Sequence, residues 1–141
     1  MFEKSHFSNR GVGLLVIYSK DIERSVKFYK SLGLRFERHF HPPCGDHFAS
    51  IDGNCVFEIY PSRKGQQSTS PMTFGFHVSC VDHAVEEATM NGGTIRREPH
   101  SAEWGRSATV TDPDGHCVLL MEKPIASSDE MSNRHADQRR Q

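Results

Sequence analysis

The sequence lacks any long apolar run. No stretch approaches the roughly 18 to 20 apolar residues of a membrane-spanning helix, and the first ten residues, MFEKSHFSNR, lack the apolar segment of a signal peptide. A strong charge of one sign is also missing, because 17 Lys and Arg against 18 Asp and Glu give a formal net charge of −1. Such a chain has no general attraction to nucleic acid or to an anionic membrane. We expect a cytoplasmic protein that binds neither.

Closely spaced cysteines are absent as well. The four cysteines, Cys44, Cys55, Cys80 and Cys117, form no C-x-x-C motif. This spacing argues against a zinc ribbon and against a disulfide-rich secreted scaffold. We expect reduced thiols, most of them buried in the core.

Apolar residues make up only 35% of the chain, and the shortage is concentrated in two polar segments. Residues 126–141 contain one Met as their only large apolar side chain, and residues 61–71, PSRKGQQSTSP, are polar and bounded by prolines. Such segments cannot offset their own ordering entropy by burying apolar surface. The sequence therefore predicts one domain over 11–123, with an N-terminal extension (1–10), a linker (62–71) and a polar, disordered tail (124–141).

The two halves of this domain, 11–61 and 72–123, begin with the same pattern. An apolar strand is followed by an amphipathic helix that ends at glycine. In the first half these are VGLLVIY (12–18) and IERSVKFYKSL (22–32), with Asp21 or Ser19 as the helix cap and Gly33 at the end. In the second half they are TFGFHVS (73–79) and HAVEEATMN (83–91), with Asp82 as the cap and Gly92-Gly93 at the end.

Three strand-like segments follow each helix. They are LRFERHFHP, HFASID and CVFEIY in the first half, and TIRREP, RSATVTD and HCVLLME in the second. Turns are signalled by Asp52-Gly53-Asn54 and by Asp112-Pro113-Asp114-Gly115. The pattern predicts an α+β domain of two βαβββ modules, which form a curled mixed sheet around a cleft with the helices on one side.

Three segments carry a family likeness. DIERSVKFYKSLGL (21–34), the NGG after the second helix and TVTDPDGHCVLLME (109–122) resemble the vicinal oxygen chelate superfamily. This superfamily includes glyoxalase I, extradiol dioxygenases, fosfomycin-resistance enzymes and bleomycin-resistance binding proteins, and the likeness covers about residues 11–123. It is specific for the fold and weak for function, because the members share a scaffold and differ in chemistry. Members commonly dimerise, so the resemblance implies a homodimer.

The resemblance also implies where a metal would be held. The four ligand positions of the superfamily fall on Leu14, Glu58, Thr73 and Leu119, so three of the four usual ligands are missing. A transition metal needs several nitrogen or oxygen donors at about 2.0 to 2.2 Å. We therefore expect no metal cofactor and no ordinary metal-dependent glyoxalase I activity, with a divalent metal held by other residues as the alternative.

Nine histidines invite a search for such an alternative. His39 and His41 share a strand face, and His47 opens the next strand, so these three and Cys44 can meet around one turn. The spacing by itself favours a solvated rim, and we assign no metal ligand among them. The sequence suggests no role for the histidines at positions 6, 100, 116 and 135.

Strand alternation predicts which side chains face the cleft. Leu14, Val16 and Tyr18 point into it if Leu15 and Ile17 pack under the helix. The predicted ligand-binding residues are Leu14, Tyr18, Glu58, Tyr60, Thr73, His77, Trp104, Leu119 and Met121.

Glu58 is the candidate catalytic residue, because a carboxylate among apolar side chains can exchange a proton or hold a cationic group. The alternatives are that Glu58 is solvated or paired with an arginine such as Arg106. Trp104 is either a lid over the cleft or a dimer contact.

The sequence thus predicts a small-molecule-binding protein of the bleomycin-resistance type that sequesters a drug or a metabolite. The alternatives are a divergent lyase, isomerase or dioxygenase that uses Glu58 as acid, base or metal ligand, and a protein whose dimer surface is its function.

Overall fold

Eight strands and two helices follow one another in the part of the chain that the structure describes. The structure is a computed structural model and describes residues 11–43, 45–63, 69, 72–103 and 105–122. The predictions for the N-terminal extension, for most of the linker and for the polar tail lie outside these residues.

The order of elements confirms the two predicted βαβββ modules. The first module contains β1 (Leu14–Ser19), α1 (Ile22–Ser31), β2 (Glu37–His41), β3 (Gly45–Ser50) and β4 (Val56–Pro61). The second contains β5 (Thr73–Val78), α2 (Val81–Met90), β6 (Thr94–Ala102), β7 (Gly105–Thr111) and β8 (Cys117–Glu122).

Each module forms a four-stranded mixed sheet of the same topology. The strand orders are β1-β4-β3-β2 and β5-β8-β7-β6. The first and last strands of each module pair in parallel, with Val16 opposite Glu58 in one sheet and Gly75 opposite Leu119 in the other. The remaining pairs are antiparallel. Among the strands that the structure describes, the first strand of each module is therefore an edge strand, with no strand paired on its outer side.

Helix α1 begins at the predicted cap. The Asp21 side chain accepts a hydrogen bond from the backbone N–H of Arg24 at 3.1 Å, which satisfies one of the unpaired donors of the first turn. This decides between the two sequence candidates, since the Ser19 hydroxyl instead accepts from the Asp21 N–H. The helix ends as predicted at Gly33, whose φ of 100° is a left-handed conformation that glycine adopts without strain.

Helix α2 begins differently from the prediction. Cys80, and not Asp82, is the N-cap, and Asp82 lies within the first turn. The Val81 N–H is satisfied from outside the helix, by the Glu122 carboxylate of β8 at 2.9 Å. Asp82 is left to pair with Arg106 of β7, with 2.8 Å between Oδ1 and Nη2. The local sequence could not reveal this, because both partners come from distant strands.

One hydrophobic core is shared by the two modules. Leu15 and Ile17, predicted to pack under the helix, belong to it. The alternate residues of the other first and last strands are likewise buried or packed against it, namely Phe57, Ile59, Phe74, Phe76, Val78, Val118 and Leu120. Tyr29 of α1 joins the halves, because its ring contacts Phe57 of the first sheet and Phe74 and Phe76 of the second. Packing of this kind makes the two modules one domain.

The cysteines differ from the expectation that most of them are buried in the core. All three described cysteines are free thiols, but none is buried: Cys55 and Cys117 are half-buried and Cys80 is exposed. Each stands at or just before the start of an element, where the chain is still partly solvated. Cys44 lies outside the described residues.

Both helices have ten residues, and no helix of the described ranges is long and apolar enough to cross a membrane.

A buried carboxylate of the β7–β8 turn also connects the modules. Asp112 is 3% exposed, and its Oδ2 accepts a hydrogen bond from the Tyr29 hydroxyl at 2.6 Å. The same oxygen lies 2.6 Å from Nδ1 of His116, and Oδ1 accepts from the backbone N–H groups of Asp114 and His116. His116, for which the sequence suggests no role, is fully buried. Its ring and its backbone N–H both bind Asp112, which fixes this carboxylate within the turn.

Asp114 makes a second connection from the same turn. Its carboxylate accepts hydrogen bonds from the hydroxyls of Ser19 and Ser25 at 2.6 and 2.8 Å, and from the Lys20 N–H at 3.0 Å. These donors lie in the first module, with Ser19 at the end of β1, Lys20 directly after it and Ser25 within α1. The Asp112–Asp114 turn therefore sets where α1 lies relative to the second sheet.

We expect Tyr29→Phe to lower the free energy of unfolding by about 1.5 to 3 kcal/mol, because a hydrogen bond to a buried carboxylate is lost while the ring is kept. Urea unfolding at neutral pH measures this. Tyr18→Phe, which alters a hydroxyl on the open face of the first sheet, is the matched control and should change little. Equal effects of the two substitutions would contradict the connecting role of Asp112.

The same hydroxyl predicts a loss of stability in alkali. Burial, reinforced by the Asp112 carboxylate, raises the pKa of Tyr29 well above its usual value of 10. Above about pH 10 the unfolded chain releases this proton and folded Tyr29 keeps it, so the stabilisation is present below pH 10 and is lost as the pH rises further. The difference between the native protein and Tyr29→Phe should shrink by about 1 kcal/mol between about pH 8 and pH 11. A difference that stays constant would contradict this.

Candidate functional site

A pocket lies on the face of the first sheet that points away from the helices. It has a volume of about 320 Å³. Alternation along β1 and β4 places side chains there, as predicted, since Ile17 and Ile59 on the opposite face are fully buried. We call it the β1–β4 pocket, and it is lined by Leu14, Val16, Tyr18, Glu58, Tyr60, Pro61 and Arg63.

Glu58 provides the carboxylate of this pocket. Its side chain is 18% exposed, and Oε2 lies 3.0 Å from Nε2 of His47. The Tyr60 hydroxyl donates to the same oxygen at 3.2 Å. The pairing with Arg106 considered from the sequence does not form, because Arg106 binds Asp82 of the second module. Glu58 is therefore held in place by two neighbours while part of it remains accessible to a ligand.

His47 is the site residue that the sequence did not identify. Its side chain is 1% exposed, whereas its position at a strand end favoured a solvated rim. The ring stacks on Tyr60, with centroids 4.3 Å apart and planes 8° apart, and Nδ1 lies 3.1 Å from the Gly45 carbonyl oxygen. The position of His47 follows from the pairing of β3 with β4, in which Ala49 lies opposite Glu58. Two residues earlier, on the same face, His47 comes beside Tyr60.

Two more histidines complete a cluster around His47. The His39 and His41 rings lie 5.8 and 5.5 Å from the His47 ring, measured between centroids, and 5.7 Å from each other. The three histidines that can meet around one turn do so. Cys44, considered with them, lies outside the described residues.

The predicted residues of the second module lie elsewhere. Thr73 and His77 are exposed on β5, and Leu119 and Met121 are half-buried on β8. His77 is opposite Met121 in the parallel pair. None of these four lines the β1–β4 pocket, whereas Leu14, Tyr18, Glu58 and Tyr60 all do. Trp104 lies outside the described residues.

The four positions that the resemblance assigns to metal ligands offer few donor atoms. Leu14 and Leu119 have none, Thr73 offers one exposed hydroxyl on the second sheet, and Glu58 is already bonded to His47 and Tyr60. Zinc and related ions require three or four nitrogen, oxygen or sulfur donors that converge on one point. This set of side chains does not fit such an ion.

The pocket is suited to holding a small organic molecule. The Tyr18 and Tyr60 rings, whose centroids are 6.1 Å apart and whose planes are inclined at 44°, line the pocket together with the aliphatic side chains of Leu14 and Val16. One carboxylate and one guanidinium, Glu58 and Arg63, provide polar contacts. A few polar groups on an apolar wall are typical of ligand sites.

Several known proteins are similar to this chain in sequence or in structure. An uncharacterised protein of Mycolicibacterium smegmatis is 29% identical over 113 residues, which are 80% of this chain and 94% of the relative. TnmS3, described as an antibiotic binding protein from Streptomyces sp. CB03234, superposes with a TM-score of 0.68 at 19% identity, over 84% of this chain and 100% of that one.

A glyoxalase/bleomycin resistance protein from Albidiferax ferrireducens T118 gives a TM-score of 0.64 at 24% identity, over 79% and 98% of the two chains. These structural likenesses show the fold. The sequence model of the Glyoxalase/Bleomycin resistance protein/Dioxygenase superfamily matches residues 11–120, and this range covers both βαβββ modules almost completely. The chain therefore belongs to the glyoxalase/bleomycin resistance protein/dioxygenase superfamily.

Proposed function

We propose that this protein binds a small aromatic, cationic molecule in the β1–β4 pocket and sequesters it as a drug or metabolite. The observation that carries the proposal is a partly accessible carboxylate beside two tyrosine rings in a cavity of about 320 Å³. That volume is at the lower end of the range for small-molecule sites. The likeness to TnmS3, described as an antibiotic binding protein, supports a small-molecule ligand.

The aromatic preference comes from Tyr60 and Tyr18. Tyr60 is held from behind by the stacked His47 ring, so a ligand that stacks on it does not have to order the side chain first. Tyr18 stands at an angle of 44° to it, which suits an edge contact to a flat ligand.

The cationic preference comes from Glu58. Its carboxylate already accepts from Tyr60 and faces His47, and two carboxylate oxygens have room for a further donor. A protonated amine of the ligand would form a charge-assisted hydrogen bond there, stronger than a neutral one.

The proposal includes no metal at the superfamily's positions. Aliphatic side chains at two of them, Leu14 and Leu119, favour contact with an apolar part of the ligand. On this proposal the ordinary metal-dependent glyoxalase I reaction is not the function of this chain.

We also propose that the protein forms a homodimer. Leu14, on the edge strand β1, is 55% exposed, and the open face of the second sheet carries Thr73 and His77. A second copy would cover these surfaces, and exposed strand edges are usually covered in native proteins. The second-module residues predicted to bind ligand would then act from a partner chain.

Proton transfer is a second candidate, favoured by the 3.0 Å contact between Glu58 and His47. A carboxylate coupled to an imidazole beside a pocket can accept a proton from a bound substrate, as a lyase or isomerase requires. Incubating the pocket ligand in D₂O with the protein would reveal deuterium incorporation by NMR. Incorporation that is lost in Glu58→Gln would support this candidate over simple binding.

The binding proposal is tested with two probes of similar shape and opposite charge, 9-aminoacridine and anthracene-9-carboxylate. We expect fluorescence titration to detect the cation and not the anion. Tyr60→Ala should weaken binding of the cation by at least about tenfold through lost stacking, and Glu58→Gln by about three- to tenfold through the lost charge.

Phe40→Ala is the matched control, because Phe40 is an aromatic residue of the same sheet that is 67% exposed and lies outside the pocket. It should leave the affinity unchanged. Binding that is insensitive to both pocket substitutions, or a preference for the anion, would contradict the proposed site.

Light scattering after size-exclusion chromatography tests the dimer. We expect a mass of about twice the 16.0 kDa of one chain. Leu14→Glu should yield the single-chain mass, because it places a charge on the covered edge. Met90→Glu, at an apolar residue of α2 that is 78% exposed, should leave the dimer intact. A single-chain mass for the unaltered protein would overturn this part of the proposal.

A further inference from the structure

The β2–β3 hairpin gathers three imidazoles on the open face of the first sheet. His39 lies directly opposite His47, and His41 lies opposite Gly45, which has no side chain to separate it from His47. Directly opposite side chains in antiparallel strands have Cβ atoms about 4.5 to 5.5 Å apart. The sheet register itself therefore keeps the three rings together, independently of any ligand in the β1–β4 pocket.

We propose that His39, His41 and His47, here called the three-histidine cluster, bind one transition-metal ion, with Zn²⁺ or Cu²⁺ as the favoured ions. One ring nitrogen from each histidine lies within 4.8 Å of the others. Imidazole is a preferred ligand of both ions. The cluster is distinct from the superfamily's metal positions, of which it uses none.

Coordination of one ion requires the three histidine rings to move only slightly closer together. Tetrahedral zinc with Zn–N bonds of about 2.0 to 2.1 Å brings its nitrogen ligands to about 3.3 Å from one another. His47 is buried and held, whereas His41 is exposed and the His39 side chain is 35% exposed. These two rings can rotate toward His47 without disturbing the core, and water would complete the coordination.

The hydrogen bonds of His47 and His39 suit metal ligands. A histidine that binds metal through one ring nitrogen usually donates the other N–H to a carboxylate or a carbonyl. His47 has one of each, Glu58 at 3.0 Å from Nε2 and the Gly45 carbonyl at 3.1 Å from Nδ1, so either can remain when the metal takes the other nitrogen. His39 has the Glu37 carboxylate at 3.3 Å from Nε2. Glu58 is thus a positioning residue for His47.

Two other groups of potential ligands in the described ranges are already used by the protein. In the group Cys80, Asp82 and Glu122, the two carboxylates bind Arg106 and the Val81 N–H. In the group Asp112, Asp114 and His116, the carboxylates accept hydrogen bonds from α1 and from β1. A metal at either place would have to break bonds that hold the fold, whereas at the three-histidine cluster it would displace one contact of His47, either to Glu58 or to the Gly45 carbonyl.

The test uses the full chain without a histidine tag, stripped with EDTA and titrated with ZnCl₂ by calorimetry. We expect one Zn²⁺ per chain with a dissociation constant of about 1 μM or lower. The double variant His39→Ala/His41→Ala should weaken this binding by at least about 100-fold. The control His83→Ala/His100→Ala removes as many histidines from α2 and β6 and should bind zinc as the unaltered protein does.

Co²⁺ substitution tests the geometry and the role of Glu58. Tetrahedral Co²⁺ gives strong visible absorption bands, which we expect in the unaltered protein and in Glu58→Gln but not in His39→Ala/His41→Ala. Glu58→Gln should lower the affinity by about tenfold with the bands retained, because the ligands stay and only their positioning weakens.

Absence of zinc binding, or equal binding by the cluster variant and the control variant, would overturn the proposal. Loss of binding in both double variants would show dispersed surface histidines in place of a site. Because the readouts are metal affinity and absorption, they do not depend on whether the β1–β4 pocket binds the aromatic cation.

Discussion

The position of each module depends on one buried carboxylate. Asp112 accepts hydrogen bonds from Tyr29 of α1 and from the backbone of its own turn, and the neighbouring Asp114 accepts from Ser19 of β1 and Ser25 of α1. A carboxylate removed from water is stable only when its oxygens are fully hydrogen-bonded, so α1 and the β7–β8 turn can meet in few ways. Because Tyr29 also contacts rings of both sheets, the same side chain joins the polar connection to the apolar core.

This connection determines which faces remain open. With α1 and the core on one side of each sheet, the opposite faces are left to solvent, a ligand or another chain. On the first sheet that face carries the β1–β4 pocket and the three-histidine cluster, with Glu58 between them. The carboxylate contributes to both, since it lines the pocket and holds His47. Occupation of the cluster by a metal would change the hydrogen bonds around Glu58, so the two proposed sites can be linked through this one residue.

Which face of a strand each side chain occupies was largely predictable, because the alternation of side chains along a strand is a local property of the sequence. Alternation places Ile17 and Ile59 in the core and Glu58 and Tyr60 on the open face, and the structure agrees. The start of α2 was not predictable, because the acceptor for its first N–H comes from Glu122, about forty residues away along the chain. The burial of His47 was missed for a related reason. The sequence suggested that His47 opens a strand, but β3 begins at Gly45, and the β3–β4 pairing stacks the Tyr60 ring on His47.

The sequence by itself determined the element order, the two βαβββ modules and the faces of β1, β4, β5 and β8, since these follow from the spacing of apolar residues and turn signals along the chain. It also determined that Leu14 and Leu119 offer no donor to a metal. Only the tertiary structure decided that His47 pairs with Glu58, that three histidines meet, and that the predicted residues of β5 and β8 do not line the β1–β4 pocket. These are contacts between strands. Their geometry depends on the strand register and on the placement of the two modules, which the spacing of apolar residues along the chain does not reveal.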